Sequence, residues 1–125
     1  MRSLPNISSA EWEVMRVLWD GSPHTANEVT EALPQSLAWH PKTVRTLLDR
    51  LVKKKALSKT KRGGVYVYAP MVDEAMCLRA ESRGFAERFF EGRLQPMIAH
   101  FIADEDLSAE DIAALRRLLD EKDQK

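Results

Sequence analysis

Apolar residues recur at i, i+3 and i+4 through most of this chain, and one stretch in the middle breaks that rule. Ser8-Ser9-Ala10-Glu11 reads as a capping box, with Ser8 as N-cap and Glu11 reaching back from the third helical position. Ile7 can staple onto Trp12, and Met15, Leu18 and Trp19 continue the stripe, so a helix is predicted from about Ser9 to Asp20. Gly21 then acts as a stop, and Pro23 as a breaker. A second box, Thr25-Ala26-Asn27-Glu28, opens a short helix carrying Val29, Ala32 and Leu33, which Pro34 ends. Residues 34–39 read as a loop. Pro41 suits the first position of a third helix, where its missing N–H costs nothing. Val44, Leu47, Leu48, Leu51 and Val52 give that helix a full apolar stripe, ending near Lys55.

The period changes after that. Leu57 to Lys61 and Val65 to Ala69 are short runs around Arg62-Gly63-Gly64, and Val65-Tyr66-Val67-Tyr68 is rich in strand formers. Two such runs around a glycine-containing loop predict a β-hairpin, which Pro70 closes. From Asp73 the helical period returns. Phe85/Phe89 and Ala86/Phe90 pair at i, i+4, Leu94, Met97, Ile98, Phe101 and Ile102 form another stripe, and Ser108 starts a last helix with Ile112, Leu115, Leu118 and Leu119.

Composition adds bounds. At 125 residues the chain is one compact domain, or two small units that lean on a partner. Nineteen Lys+Arg balance nineteen Asp+Glu, which excludes a uniformly basic nucleic-acid glue. The balance hides a segregation: residues 1–70 carry eleven basic and six acidic residues (+5), and residues 71–125 carry eight and thirteen (−5). Between Lys42 and Arg62 nine cations face one acid, Asp49, a net of +8. A run this single-signed, without compensating Glu one turn away, is a candidate phosphate-facing surface, although charge runs are often merely solvated. No apolar run approaches the ~20 residues that span a bilayer, and no apolar leader follows Met1-Arg2-Ser3-Leu4. The expected compartment is the cytoplasm.

Three short helices followed by a hairpin make the order of a winged helix. The expected fold class is mainly α with a small β-hairpin wing: a winged helix-turn-helix DNA-binding domain over residues 1–71, then a helical dimerisation domain over residues 72–125. The third helix is the one that a major groove admits. With Val44, Leu47 and Leu51 turned inward, Lys42, Thr43, Arg45 and Thr46 are the candidates for base edges and the groove floor. Arg50, Lys53 and Lys54 are the candidates for phosphate. As the wing, the hairpin is expected to carry Lys59, Lys61 and Arg62 near its tip, close to the flanking backbone or the minor groove. Tyr66 and Tyr68 either join that surface or pack on the helices, and strand parity does not decide between these.

The 55 residues after position 70 are too few to bury much core alone. They carry Phe85, Phe89, Phe90, Leu94, Met97, Ile98, Phe101, Ile102, Leu115 and Leu118. A homodimer sharing one core is the economical way to hide these side chains, and folding back onto the first half is the alternative. Catalytic and metal chemistry find no footing: His24, His40 and His100 are scattered, and one cysteine, Cys77, can build neither a disulfide framework nor a Cys-rich metal site. Cys77 reads as a buried thiol, with a redox-responsive role as the alternative. No cofactor is expected. Two other function classes stay open: a module whose basic patch binds an acidic protein, and a one-component sensor holding a ligand among its C-terminal helices.

Ile7-Ser8-Ser9-Ala10-Glu11-Trp12-Glu13-Val14-Met15 with Val17-Leu18-Trp19 resembles the opening of the β-lactamase and methicillin-resistance repressors of the BlaI/MecI/CopY type. Trp39-His40-Pro41-Lys42-Thr43-Val44-Arg45-Thr46-Leu47-Leu48-Asp49-Arg50-Leu51 resembles that family's recognition helix, and Val65-Tyr66-Val67-Tyr68-Ala69-Pro70 its wing strand. The resemblance covers essentially the whole chain. It implies a dimeric transcriptional repressor on inverted-repeat operators with TACA/TGTA-like half-sites. It also implies a membrane sensor protease as partner, cutting the C-terminal region at the position matching His100 and Phe101. The family's usual residue before that Phe is Asn, so His100 departs from the pattern and proteolytic control stays open. The Cys-x-Cys site of the copper-responsive branch has no counterpart here. His40 stands where the family often has a Ser N-cap, and imidazole can cap the helix or, protonated, meet phosphate.

Overall fold

A computed structural model describes residues 4–124; Met1-Arg2-Ser3, where the reading of the N-terminus starts, and Lys125 lie outside the described residues. The elements in chain order are α1 (Ser9–Asp20), α2 (Ala26–Ala32), a 3-10 turn (Gln35–Leu37), α3 (Pro41–Lys53), β1 (Leu57–Arg62), β2 (Val65–Pro70), α4 (Glu74–Phe90), α5 (Leu94–Asp104) and α6 (Ala109–Asp123). The fold class is the expected one, mainly helical with a two-stranded antiparallel wing.

Local chemistry accounts for the boundaries. At α1 the Ser8 hydroxyl accepts from the Glu11 N–H (3.2 Å) while the Glu11 carboxylate accepts from the Ser8 N–H (2.9 Å). Thr25 and Glu28 repeat the arrangement at α2, and Ser108 and Asp111 at α6. These bonds satisfy N–H groups that a helix start otherwise leaves without partners. Gly21 ends α1 in an extended conformation, so the stop there uses no left-handed backbone. The loop expected over 34–39 contains the turn Gln35–Leu37.

The exit of α3 is more specific. The Lys55 N–H donates to the Val52 carbonyl (3.0 Å) and the Ala56 N–H to the Leu51 carbonyl (2.9 Å). That is a Schellman pair, and it puts Lys55 in the left-handed region at φ +66°. Glycine normally takes this position; here a lysine does. The wing turns through Gly63 (φ +54°) and Gly64 (φ +84°), as a two-residue hairpin loop with two left-handed positions requires. Its register pairs Arg62 with Val65, Lys61 with Tyr66 and Lys59 with Tyr68.

The chain divides into two compact units, residues 1–80 and 81–125. The first unit closes a core around Val14, Met15, Leu18, Val29, Val44, Leu48, Leu51 and Leu57, each at most 1 % exposed. Burying each leucine there contributes about 1.5–3 kcal/mol. The sequence puts the boundary after residue 71, whereas compactness puts it after residue 80. The difference lies in the first turns of α4. Cys77 is buried in the core of the first unit, and Val72 packs against that core. The Trp19 indole N–H donates to the Val72 carbonyl (3.0 Å) and the Met71 N–H to the Ala56 carbonyl (2.8 Å). In the second unit Ala86 is the one buried hydrophobic residue among those described.

Candidate nucleic-acid interface

The α3 helix is split by its own period. Val44, Leu47, Leu48 and Leu51 face the core, while Lys42, Thr43, Arg45, Thr46, Asp49, Arg50 and Lys53 are exposed. The apolar stripe therefore aims the polar face outward, with no further device needed. His40 caps the helix: its Nδ1 accepts from the Lys42 N–H at 3.0 Å. Of the two roles open to this side chain, capping is the one this bond shows. The Thr46 hydroxyl donates to the Lys42 carbonyl at 3.1 Å, which leaves its oxygen lone pairs and methyl group as outward chemistry.

Lys54, expected to meet phosphate, is engaged within the chain itself. Its ammonium donates to the Glu11 carboxylate (2.5 Å) and to the Asn6 carbonyl (2.8 Å). Glu11 is 1 % exposed. Burial pushes the Glu11 carboxyl up, but the Lys54 hydrogen bond, the Ser8 N–H and hydroxyl bonds and the Lys54 charge outweigh it, leaving the group below its ordinary value. Removing this lysine from the face leaves eight cations and one acid between residues 42 and 62.

The two wing tyrosines part ways. Tyr68 is 4 % exposed, and its backbone exchanges both hydrogen bonds with His24 (2.8 and 3.1 Å), which adds a bridge to the sheet. Tyr66 stands outside at 49 % exposure. The Lys59 ammonium lies 4.5 Å from the Tyr66 ring centre, and that of Lys61 5.7 Å. Lys61 and Arg62 are exposed beside the Gly63-Gly64 turn. Lys59, expected near the tip, lies midway along β1 and reaches within 4.0 Å of Asp49 on α3. Between the start of α2, α3 and the wing a cleft of about 300 Å³ is lined by Thr25, Asn27, Arg45, Asp49, Lys59 and Tyr66, among others. Thr25 and Asn27 were not legible as part of this face, since their only local signature is a helix cap.

Comparison with known proteins decides what kind of molecule presents this face. The penicillinase repressor family model matches residues 7–121. The chain belongs to the penicillinase repressor family. Members of this family are DNA-binding transcriptional repressors and not enzymes, and this repressor is accordingly read as one. The penicillinase repressor of Bacillus licheniformis is 42 % identical over 121 residues, covering 97 % of this chain and 94 % of that one. The methicillin resistance regulatory protein MecI of Staphylococcus aureus is 35 % identical over 116 residues, covering 93 % and 94 %. The solution structure of monomeric B. licheniformis BlaI in complex with the blaP half-operator superposes with a TM-score of 0.52 at 48 % identity, covering 60 % of this repressor and 92 % of that chain.

The second unit of the repressor presents the other predicted surface. Phe89, Leu94, Ile98, Phe101, Ile102, Leu115 and Leu118 are exposed, and Phe85, Phe90 and Met97 are half-buried. The rings form a local cluster: Phe85 lies 4.9 Å from Phe89, 6.1 Å from Phe90 and 5.8 Å from Phe101. His100 sits within α5, its Nε2 3.5 Å from the Asp104 carboxylate, and the His100–Phe101 peptide is helical. Among the described residues no group of three or more His, Cys, Asp or Glu could hold a metal ion, and no helix is long and apolar enough to cross a membrane.

Proposed function

We propose that this repressor works as a cytoplasmic homodimer on inverted-repeat DNA with TACA/TGTA-like half-sites. Lys42, Thr43, Arg45 and Thr46 at the start of α3 read base edges. Arg50 and Lys53 hold the phosphate backbone, and Lys61, Arg62 and Tyr66 bring the wing to the flanking strand. The observation that carries this reading is the exposed cationic face that α3 and the wing share above a closed apolar core. Lys54 is left out of the phosphate set because Glu11 holds it. The operator complex of the B. licheniformis relative supports the same assignment of the domain.

The dimer half of the proposal rests on the second unit, whose aromatic and aliphatic residues stay largely exposed in a single chain. Two copies supply both the missing core and the two recognition helices that an inverted repeat needs. The proposed off-switch is cleavage at His100–Phe101 by a membrane sensor protease. Both residues are exposed, but a protease needs extended backbone, so α5 must unwind locally before the bond is presented.

The test is fluorescence-anisotropy binding of a TACA/TGTA inverted repeat against a scrambled duplex across a salt series. A preference of about 10³-fold or more with a steep salt slope is expected. Arg45→Ala or Lys42→Ala costs about 1–3 kcal/mol on the repeat, whereas Lys53→Ala weakens both duplexes alike and lowers the salt slope by about 1. Equal, weak binding to both duplexes would sink the half-site and return the basic patch to a role in protein interaction.

A further inference from the structure

Asp49 is the one acid between Lys42 and Arg62, and it stands on the outward face of the recognition helix. Nothing in the fold asks for it there. Its side chain is 61 % exposed, it occupies a helix interior where aspartate is a poor helix former, and phosphate repels it. Its neighbourhood is nevertheless organised. The Lys59 ammonium from β1 lies 4.0 Å from the Asp49 carboxylate and also sits over the Tyr66 ring at 4.5 Å. Arg45, one helical turn before Asp49, lines the same cleft. An exposed pair of this kind adds little stability, typically under about 1 kcal/mol, so stability does not explain it.

We propose that Asp49 is a specificity-determining residue of the DNA face, and that Lys59 is the positioning residue that conditions it by tying the wing to the recognition helix. This rests on the DNA-binding reading above. With the wing held against α3, Lys59 shields the carboxylate and the face is uniformly attractive to phosphate. With the wing displaced, as in a glancing contact with arbitrary duplex, Asp49 keeps only its own helix's cations, Arg45 and Lys53, beside it and repels the backbone more strongly. Discrimination then comes partly from a repulsive group that only the fully seated complex neutralises. Asp49 lowers non-specific binding more than operator binding.

The test uses the full chain with Asp49→Asn and Lys59→Gln, both surface changes, and has two arms. In the first, each variant is titrated with the inverted repeat and with a scrambled duplex at several salt concentrations. Asp49→Asn is expected to tighten the scrambled duplex about fivefold while changing the repeat by less than about twofold. Lys59→Gln is expected to weaken the repeat more than the scrambled duplex, and its effect is expected to shrink when Asp49→Asn is already present. Equal tightening of both duplexes by Asp49→Asn, or additive effects in the double variant, would overturn the proposal in favour of a plain charge effect. The second arm needs no DNA: either single change is expected to speed amide hydrogen exchange at residues 60–66 at least about threefold. Unchanged exchange there overturns the coupling between Asp49 and Lys59. If the parent protein fails to distinguish the duplexes, the DNA reading and the specificity role fall together. The exchange arm still judges the tie between wing and helix on its own.

Discussion

Residues 4–80 hide Val14, Leu48 and Leu51 completely from solvent, whereas residues 81–124 leave Phe89, Leu94 and Leu118 about 60 % exposed. The contrast does not come from the quality of the local helix signals. Ser108 and Asp111 cap α6 with the same reciprocal bonds that Ser8 and Glu11 make at α1. Both units therefore follow the rules for starting helices, and they differ in whether the apolar stripes meet one another. In the first unit the stripes of α1, α2 and α3 converge with the wing on one core. In the second, aromatic rings gather around Phe85, and little else is covered. Helix formation and core closure are thus separate achievements of a sequence. A segment that manages the first without the second carries its missing contacts on its surface.

The largest effect is expected where the unclosed unit is broken. Phe101→Asp puts a charge into the ring cluster and is expected to weaken self-association at least about 100-fold, or about 2.7 kcal/mol. An unchanged sedimentation coefficient at micromolar concentration would show that the C-terminal helices do not join copies. Next comes the closed unit. Glu11→Gln discards the charge that faces Lys54 and is expected to cost about 2 kcal/mol in denaturant unfolding at pH 7, below the full value for a buried pair because Lys54 also reaches water. The carboxyl of Glu11 titrates lower in the folded protein than its ordinary value of 4.5, held down by Lys54 and Ser8 against the effect of burial. Its stabilisation is therefore present above that value and lost as pH falls through the folded one. The variant is expected to show a flatter loss of stability between about pH 5 and 3, and a parallel loss would remove Glu11 as the cause. The smallest effect sharpens the contrast from the other side. Lys55→Gly relieves the left-handed position after α3 and is expected to raise stability by about 0.5–1 kcal/mol, read as a shift in denaturation midpoint.

Much of the first unit was legible because its signals are local. Ser8 with Glu11, Thr25 with Glu28, Pro41 and Gly63-Gly64 each act within four residues, and each marks the boundary it was read to mark. What was not legible depends on partners far along the chain. Lys54 looked like its neighbour Lys53, yet its ammonium is bound by Glu11, 43 residues away. Tyr66 and Tyr68 share a strand face, and only the bridge from His24 draws the second into the core. Cys77 lies past the end of the wing, and burial there carries the first turns of α4 into the first unit. Charge counting found the basic face but did not tell which cations were free to use it.

The bond between Lys54 and Glu11 has a consequence for motion. Helices ordinarily fray from their ends, each end independently of the others. Here the last turn of α3 and the first turn of α1 are held by one carboxylate, which also closes the cap at Ser8. Releasing the tail of α3 while α1 stays folded would leave the buried Glu11 carboxylate without its ammonium partner, which opposes fraying at that end. The end of α3 farthest from its His40 cap is thereby held by a residue of α1 rather than by its own helix.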